Sequence, residues 1–169
     1  VQSTAAVGKK IGRPDILSFD MGGTTAKAAL VEKGLPKISP MMEVARTNRF
    51  KKGSGLPVFV PVIDMIEIGA GGGSIARVDA LGLLKVGPES AGSTPGPACY
   101  GRGGERPTIT DAFAVLGLLG AGELGYGAVT LDREAARQAI ETLAGPLGLS
   151  LEETAESIIR VSISGMYLE

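Results

Sequence analysis

The stretch SFDMGGTTAKAALVEKG, residues 18–34, decides how this chain is read. An apolar run ends in Asp20, the chain bends through Gly22 and Gly23, and apolar residues resume after Thr24 and Thr25. Ile16, Leu17 and Phe19 predict a short strand over 15–20, and residues 25–32 predict a second, so the segment forms a hairpin. A glycine bend leaves backbone N–H groups unobstructed, because no Cβ blocks approach, and so offers a concave donor surface to phosphate oxygens. Thr24 and Thr25 add hydroxyl donors. Asp20 cannot itself bind phosphate; a carboxylate there suits Mg2+ or the water that attacks phosphorus. Lys27 is a further phosphate contact, although alternation along a strand places it on the face of Thr25 and not of Thr24 or Ala26. The plain alternative is a surface hairpin with Gly-Gly in a primed turn.

Composition bounds these readings. The 169 residues fit one domain of ordinary size, and 44% hydrophobic content is enough for a core. A net charge of -1 provides no global attraction to nucleic acid or to an anionic membrane, so any anion binding must be local. No apolar run approaches the roughly 18 residues of a spanning helix, and the polar start VQSTAAVGKKIGR lacks the apolar block of a signal peptide, which predicts a cytoplasmic location. The absence of histidine excludes a His-based triad within this chain, and with a single cysteine it argues against an internal zinc site. Cys99 has no histidine to activate it and is expected to be a packed small residue. Glycine is the outlier, 26 of 169 residues, about twice the usual ~7%.

The pattern divides the chain into a strand-rich part, 1–107, and a helical part, 108–169. Residues 35–48 predict short strands joined by turns, and RFKKGSGLP a basic loop. In residues 58–87 an apolar run, the glycine loop GAGGGS and a second apolar run predict strand, tight loop and strand, with Asp64 and Glu67 on opposite faces ahead of the loop. Ser74 stands where a dinucleotide fingerprint needs glycine, and IARVDALG breaks too soon for the helix such a fingerprint requires. Residues 88–107 are too dense in glycine and proline for a regular element and predict a long ordered loop. A short helix follows, capped by Thr110 or Asp111. A second places Ala135, Ala136, Ala139, Ile140 and Leu143 on one stripe before Gly145 and Pro146 stop it. A third opens with a capping box of Ser150 and Glu153 and carries Leu151, Ala155, Ile158, Ile159 and Ile163 at helical spacing. The ending SISGMYLE has no stop signal, and the expectation is a segment of a longer protein.

Taken together, FDMGGTTAK, RFKKGSGLPV, IDMIEIGAGGGSIARVD, VGPESAGSTPGPACYGRGG and PTITDAFAVLG resemble the hydantoinase A / 5-oxoprolinase family, which also contains subunits of ATP-dependent ketone carboxylases. The resemblance implies an α/β fold, a ribonuclease H-like lobe of the actin/hexokinase/Hsp70-like ATPase type that closes on ATP and Mg2+. It also implies phosphorylation of an amide or carbonyl oxygen, followed by ring opening or carboxylation, and a hydantoinase B-type partner. Asp20 then stands as the catalytic and Mg2+-binding carboxylate. Gly22, Gly23, Thr24, Thr25 and Lys27, with Gly71, Gly72 and Gly73 of the later loop, stand as nucleotide contacts. A second phosphate hairpin and an adenosine loop belong to the fold and are expected outside these residues. Where many relatives continue Ser-Thr-Asp this chain has Thr25, Ala26 and Lys27, and where many have a histidine it has Ile66. The remaining readings are a ketone carboxylase subunit and an actin-like assembly ATPase without small-molecule chemistry.

Overall fold

The computed structural model describes residues 1–48, 53–120, 123–124 and 129–167. Of the basic loop expected over residues 49–57, residues 49–52 lie outside the described residues, and a strand begins at Leu56. The architecture is mixed α/β, and the chain forms two compact units: Val1–Met21 with Ala26–Gly69, and Gly22–Thr25 with Ala70–Glu169.

The first unit is built on a hairpin of β1 (Ile16–Met21) and β2 (Ala26–Glu32). They pair antiparallel in the register Ser18↔Ala29 and Asp20↔Lys27. Short strands follow: β3 (Leu35–Pro36), β4 (Ile38–Ser39), β5 (Met42–Val44), β6 (Leu56–Val58) and β7 (Val62–Ile63). Then β8 (Met65–Ile68) returns to the side of β2 away from β1, which it shares with β3, pairing Lys27↔Glu67 and Ala29↔Met65. The unit begins with α1 (Gln2–Lys10), a helix that the sequence pattern does not announce. Its buried residues are Ala5 and Gly8 rather than large apolar side chains, so there is no stripe to read. Small residues are needed because the helix lies close to β1: a Cβ on Gly8 would collide with the Ile16 side chain and sit 2.7 Å from the Arg13 carbonyl. Thr4 and Ser18 share a hydrogen bond of 3.0 Å between their hydroxyls.

The second unit holds β9 (Ser74–Val78) and β10 (Leu84–Ser90), an antiparallel pair, then a 3-10 turn at Ala98–Tyr100 and three helices. These are α2 (Ile109–Val115), α3 (Arg133–Leu147) and α4 (Leu151–Tyr167), which pack on one another. Ile75, Ile109, Ile140 and Ile158 are all but inaccessible and form much of the core. Of the stripe expected on α3, Ala136, Ala139, Ile140 and Leu143 are buried, together with Ala144, whereas Ala135 is only half-buried. On α4 the buried positions include Thr154 and Ser162, whereas Ile163 is exposed.

Two helix boundaries and one loop differ from expectation. Thr108, not Thr110 or Asp111, is the N-cap of α2; Asp111 is its reciprocal partner at the third position, and together they form a capping box. Helix α3 runs through Gly145 and Pro146 to end at Gly148, which adopts φ 65°. A proline in the last turn forfeits only one hydrogen bond, and the left-handed residue is what stops the helix. The loop over 88–107 is less irregular than its composition suggests, since β10 enters it and the 3-10 turn lies inside it. The Ser150–Glu153 box forms as expected, with Glu153 N donating to Ser150 Oγ at 3.2 Å and Ser150 N to the Glu153 carboxylate at 2.9 Å.

Candidate functional site

In the second unit the turn Gly22–Thr25 is closed by the Gly22 N–H donating to the Thr25 carbonyl at 2.9 Å. Its carbonyls are held from below by the glycine loop: Gly72 N donates to Gly22 O at 2.9 Å and Gly73 N to Gly23 O at 2.7 Å. Ser90 Oγ reaches the same Gly23 oxygen at 3.5 Å. The amides of Gly23 and Thr24 meet no acceptor among the described residues, and Gly22, Gly23 and Thr24 are exposed. A Cβ added at Gly23 would meet nothing within 4 Å. The turn therefore presents open space and free N–H donors, an arrangement that favours an anion.

Gly71, Gly72 and Gly73 have the opposite environment. A Cβ on Gly71 would stand 2.6 Å from the Thr24 backbone, one on Gly72 2.6 Å from Thr110 Oγ1, and one on Gly73 2.8 Å from Gly23 O. Their amides are also committed, Gly71 N to Ser74 Oγ at 3.0 Å and the other two to the turn. These glycines let two stretches of backbone approach each other. Strand β9 follows the loop directly, as the break after GAGGGS predicts.

A chain of hydrogen bonds supports the loop in turn. Thr110, in the first turn of α2, donates to Gly72 O from its N–H at 2.8 Å and from its hydroxyl at 2.9 Å. Beside it Asp111 is fully buried. Its carboxylate accepts from Cys99 N at 2.8 Å, Thr108 N at 2.9 Å, Thr108 Oγ1 at 2.7 Å and Ala98 N at 3.3 Å. Asp111 is thus the acceptor that fixes the 3-10 turn and the start of α2 together, beyond the simple capping role expected. Burial, reinforced by the Asp111 carboxylate, pushes the Cys99 thiol far above its ordinary range, so it is protonated and inert. Cys99 packs with Ala114 and Ala136, as a small core residue should. Ser90, and the contact that Thr110 makes with the glycine loop, escape sequence reasoning because a lone hydroxyl residue in a loop or first helical turn has no periodicity that announces a distant partner.

In the first unit, Asp20, Lys27 and Glu67 lie in one row across β1, β2 and β8. Directly opposed residues of antiparallel strands point to the same face, with Cβ atoms about 4.5–5.5 Å apart. All three side chains are exposed, and none has an ion-pair partner within 4.0 Å among the described residues. Asp64 differs: it pairs with Lys37 at 3.8 Å. Among the described residues no group of three His, Cys, Asp or Glu side chains could hold a metal ion. A single free carboxylate fits Mg2+ nonetheless, since that ion keeps several waters and is bound by one or two carboxylates plus phosphate oxygens. No helix among the described residues is long and apolar enough to cross a membrane.

Comparison with known proteins adds an independent line. Residues 1–167 match the family model described as Hydantoinase/oxoprolinase. An uncharacterized protein of Methanocaldococcus jannaschii is 47% identical over 154 residues, 89% of this chain and 22% of the relative. Caprolactamase subunit alpha of Pseudomonas jessenii is 42% identical over 159 residues, 94% of this chain and 22% of that subunit. The crystal structure of the ATP-dependent caprolactamase from the same organism superposes with a TM-score of 0.77 at 38% identity, covering 98% of this chain and 23% of that one. The nucleotide-free structure of acetone carboxylase, described for ATP-dependent acetone carboxylation, gives 0.75 at 34%, covering 94% and 21%. The chain spans about a fifth of the length of these relatives.

Proposed function

Because the chain belongs to the hydantoinase/oxoprolinase family, we propose that it is part of an ATP-binding subunit that phosphorylates the oxygen of a cyclic amide to promote ring opening. The observation that carries this reading is the turn Gly22–Thr25, whose carbonyls are tied down while the amides of Gly23 and Thr24 stay free and exposed. Those amides and the Thr24 and Thr25 hydroxyls hold phosphate oxygens, and Asp20, two residues earlier, holds Mg2+. When bound, ATP supplies the phosphoryl group: the amide oxygen bonds to the γ-phosphorus as the bond to the ADP oxygen breaks, and the carbonyl carbon becomes open to water. Lys27 provides a cation beside Asp20. Gly71, Gly72 and Gly73 serve the nucleotide by shaping the turn, since their own amides are committed within the protein.

In this reading the fold is one ribonuclease H-like lobe of an actin/hexokinase-type ATPase. The rest of the polypeptide supplies the second phosphate hairpin and the adenosine pocket, and a hydantoinase B-type subunit or domain completes the enzyme. Asp20→Asn in the full-length protein tests it: ATP turnover should fall by on the order of a hundredfold or more, with the circular dichroism and melting curve of the parent. Retained turnover would remove Asp20 from the site. The near-equal structural likeness to acetone carboxylase supports a second reading, a ketone carboxylase subunit. A bicarbonate requirement for ATP turnover would select it.

A further inference from the structure

The first unit contains a cavity of about 520 Å³ whose walls include Met41, Met42 and Met65, with Ser39, Glu43, Arg46, Asp64 and Glu67 at its polar positions. That volume is in the range of small-molecule sites. Methionine walls adapt to irregular apolar bodies. Two of the three carboxylates are already committed. Glu43 accepts from Arg46 Nε at 3.0 Å and from Gly53 N at 2.7 Å, and Asp64 pairs with Lys37 at 3.8 Å. Glu67 has no such partner among the described residues. The cavity thus offers one free, acceptor-only group beside apolar walls, which suits a ligand with an N–H on an apolar body and repels anions.

Glu67 does not stand alone. It faces Lys27 across β2 and β8, and Lys27 faces Asp20 across β1 and β2. At about 4.8 Å per strand, Glu67 is about 10 Å from Asp20 along this row. The pair Lys27–Glu67 is therefore a donor and an acceptor side by side on one face, at the edge of the cavity. The amide of a small lactam ring is held cis, so its N–H and C=O project to the same side. An open-chain secondary amide is trans, and its N–H and C=O project to opposite sides.

We propose that Lys27 and Glu67 read the cis-amide edge of the cyclic substrate, Glu67 accepting its N–H and Lys27 donating to its C=O, with the ring carbons against Met41, Met42 and Met65. The inference rests on the reading above and assigns the amide subsite within it. The chemistry fits the pairing. As the oxygen bonds to phosphorus, the nitrogen lone pair shifts toward carbon and positive charge develops at nitrogen, next to the Glu67 carboxylate. Lys27 orients the oxygen toward the Asp20 end of the row. Free choice between cyclic and open amides then comes from two adjacent side chains and not from cavity size alone.

The test uses the full-length protein, with ATP hydrolysis followed at varied five- to seven-membered lactams and at N-methylacetamide, and lactam binding followed by calorimetry. Lactams should stimulate hydrolysis and N-methylacetamide should not. Glu67→Gln should raise the lactam KM about tenfold or more, as expected for loss of a charge-assisted hydrogen bond, and leave the KM for ATP within about twofold. Met42→Phe, which narrows the cavity, should shift the preference toward smaller rings and keeps the test open if the Glu67 variant fails to fold. Lactam KM and ring preference unchanged in both variants, with the parent still stimulated by lactams, would overturn the subsite and leave the proposed function standing. A parent that neither binds nor responds to any lactam would overturn both.

Discussion

The two glycine clusters of the second unit look alike in sequence and do opposite things. Gly22 and Gly23 are exposed, and space remains open where a Gly23 side chain would go. Gly71, Gly72 and Gly73 each lie where a Cβ would be under 3.0 Å from another atom, and for Gly71 and Gly73 the nearest such atom is backbone of the Gly22–Thr25 turn. One cluster leaves open space, where the proposed function puts a ligand, and the other is bare so that two stretches of backbone can approach. The difference teaches that a glycine run marks close approach without saying by what. A free amide identifies the ligand-facing case, and a committed amide identifies the structural one.

The comparison can be broken from the structural side first. Asp111→Asn puts an NH2 donor among the N–H groups and hydroxyl that the carboxylate now accepts. It should cost about 3 kcal/mol in urea unfolding, and, through α2 and Thr110, it should loosen the support under Gly72. A loss below about 0.5 kcal/mol would show that the buried acceptor is not what holds the loop. Gly71→Ala forces a methyl against the Thr24 backbone and should cost about 1–3 kcal/mol by the same measurement. If the protein is as stable as its parent, the packed cluster is not packed. The smallest effect belongs to the capping box of α4. Hydrogen bonds from the Ser150 N–H and hydroxyl hold the Glu153 carboxyl below its ordinary value of 4.5. Because the folded value is the lower one, this stabilisation is complete above pH 4.5 and is lost as the pH falls through the folded value. Glu153→Gln should flatten the melting temperature against pH in that window and nowhere above it.

How much of this was legible in the sequence varies with the kind of signal. The β1–β2 hairpin was, because an acid, two glycines and two β-branched residues between apolar runs have few other uses. So was the strand after the second glycine loop, from the early break in its apolar pattern, and so was the box at Ser150, whose two partners are three residues apart. Helix α1 was not, because it packs through Ala5 and Gly8 and leaves no large apolar stripe. The reach of Asp111 was not, because its partners Ala98 and Cys99 are brought to it by tertiary folding of a proline-rich loop. The row Asp20–Lys27–Glu67 was out of reach for a similar reason: it depends on β8 pairing with β2 across an intervening run of more than thirty residues.

The central claim is that the turn Gly22–Thr25 is open because phosphate goes there, and Gly23→Ala in the full-length protein tests it most directly. The added methyl meets no protein atom within 4 Å, so stability should stay within about 0.5 kcal/mol of the parent. Calorimetry should nevertheless show ATP affinity reduced by about tenfold or more, because the methyl stands where a phosphate oxygen must approach the amides. Unchanged ATP affinity in a stably folded variant would contradict the account.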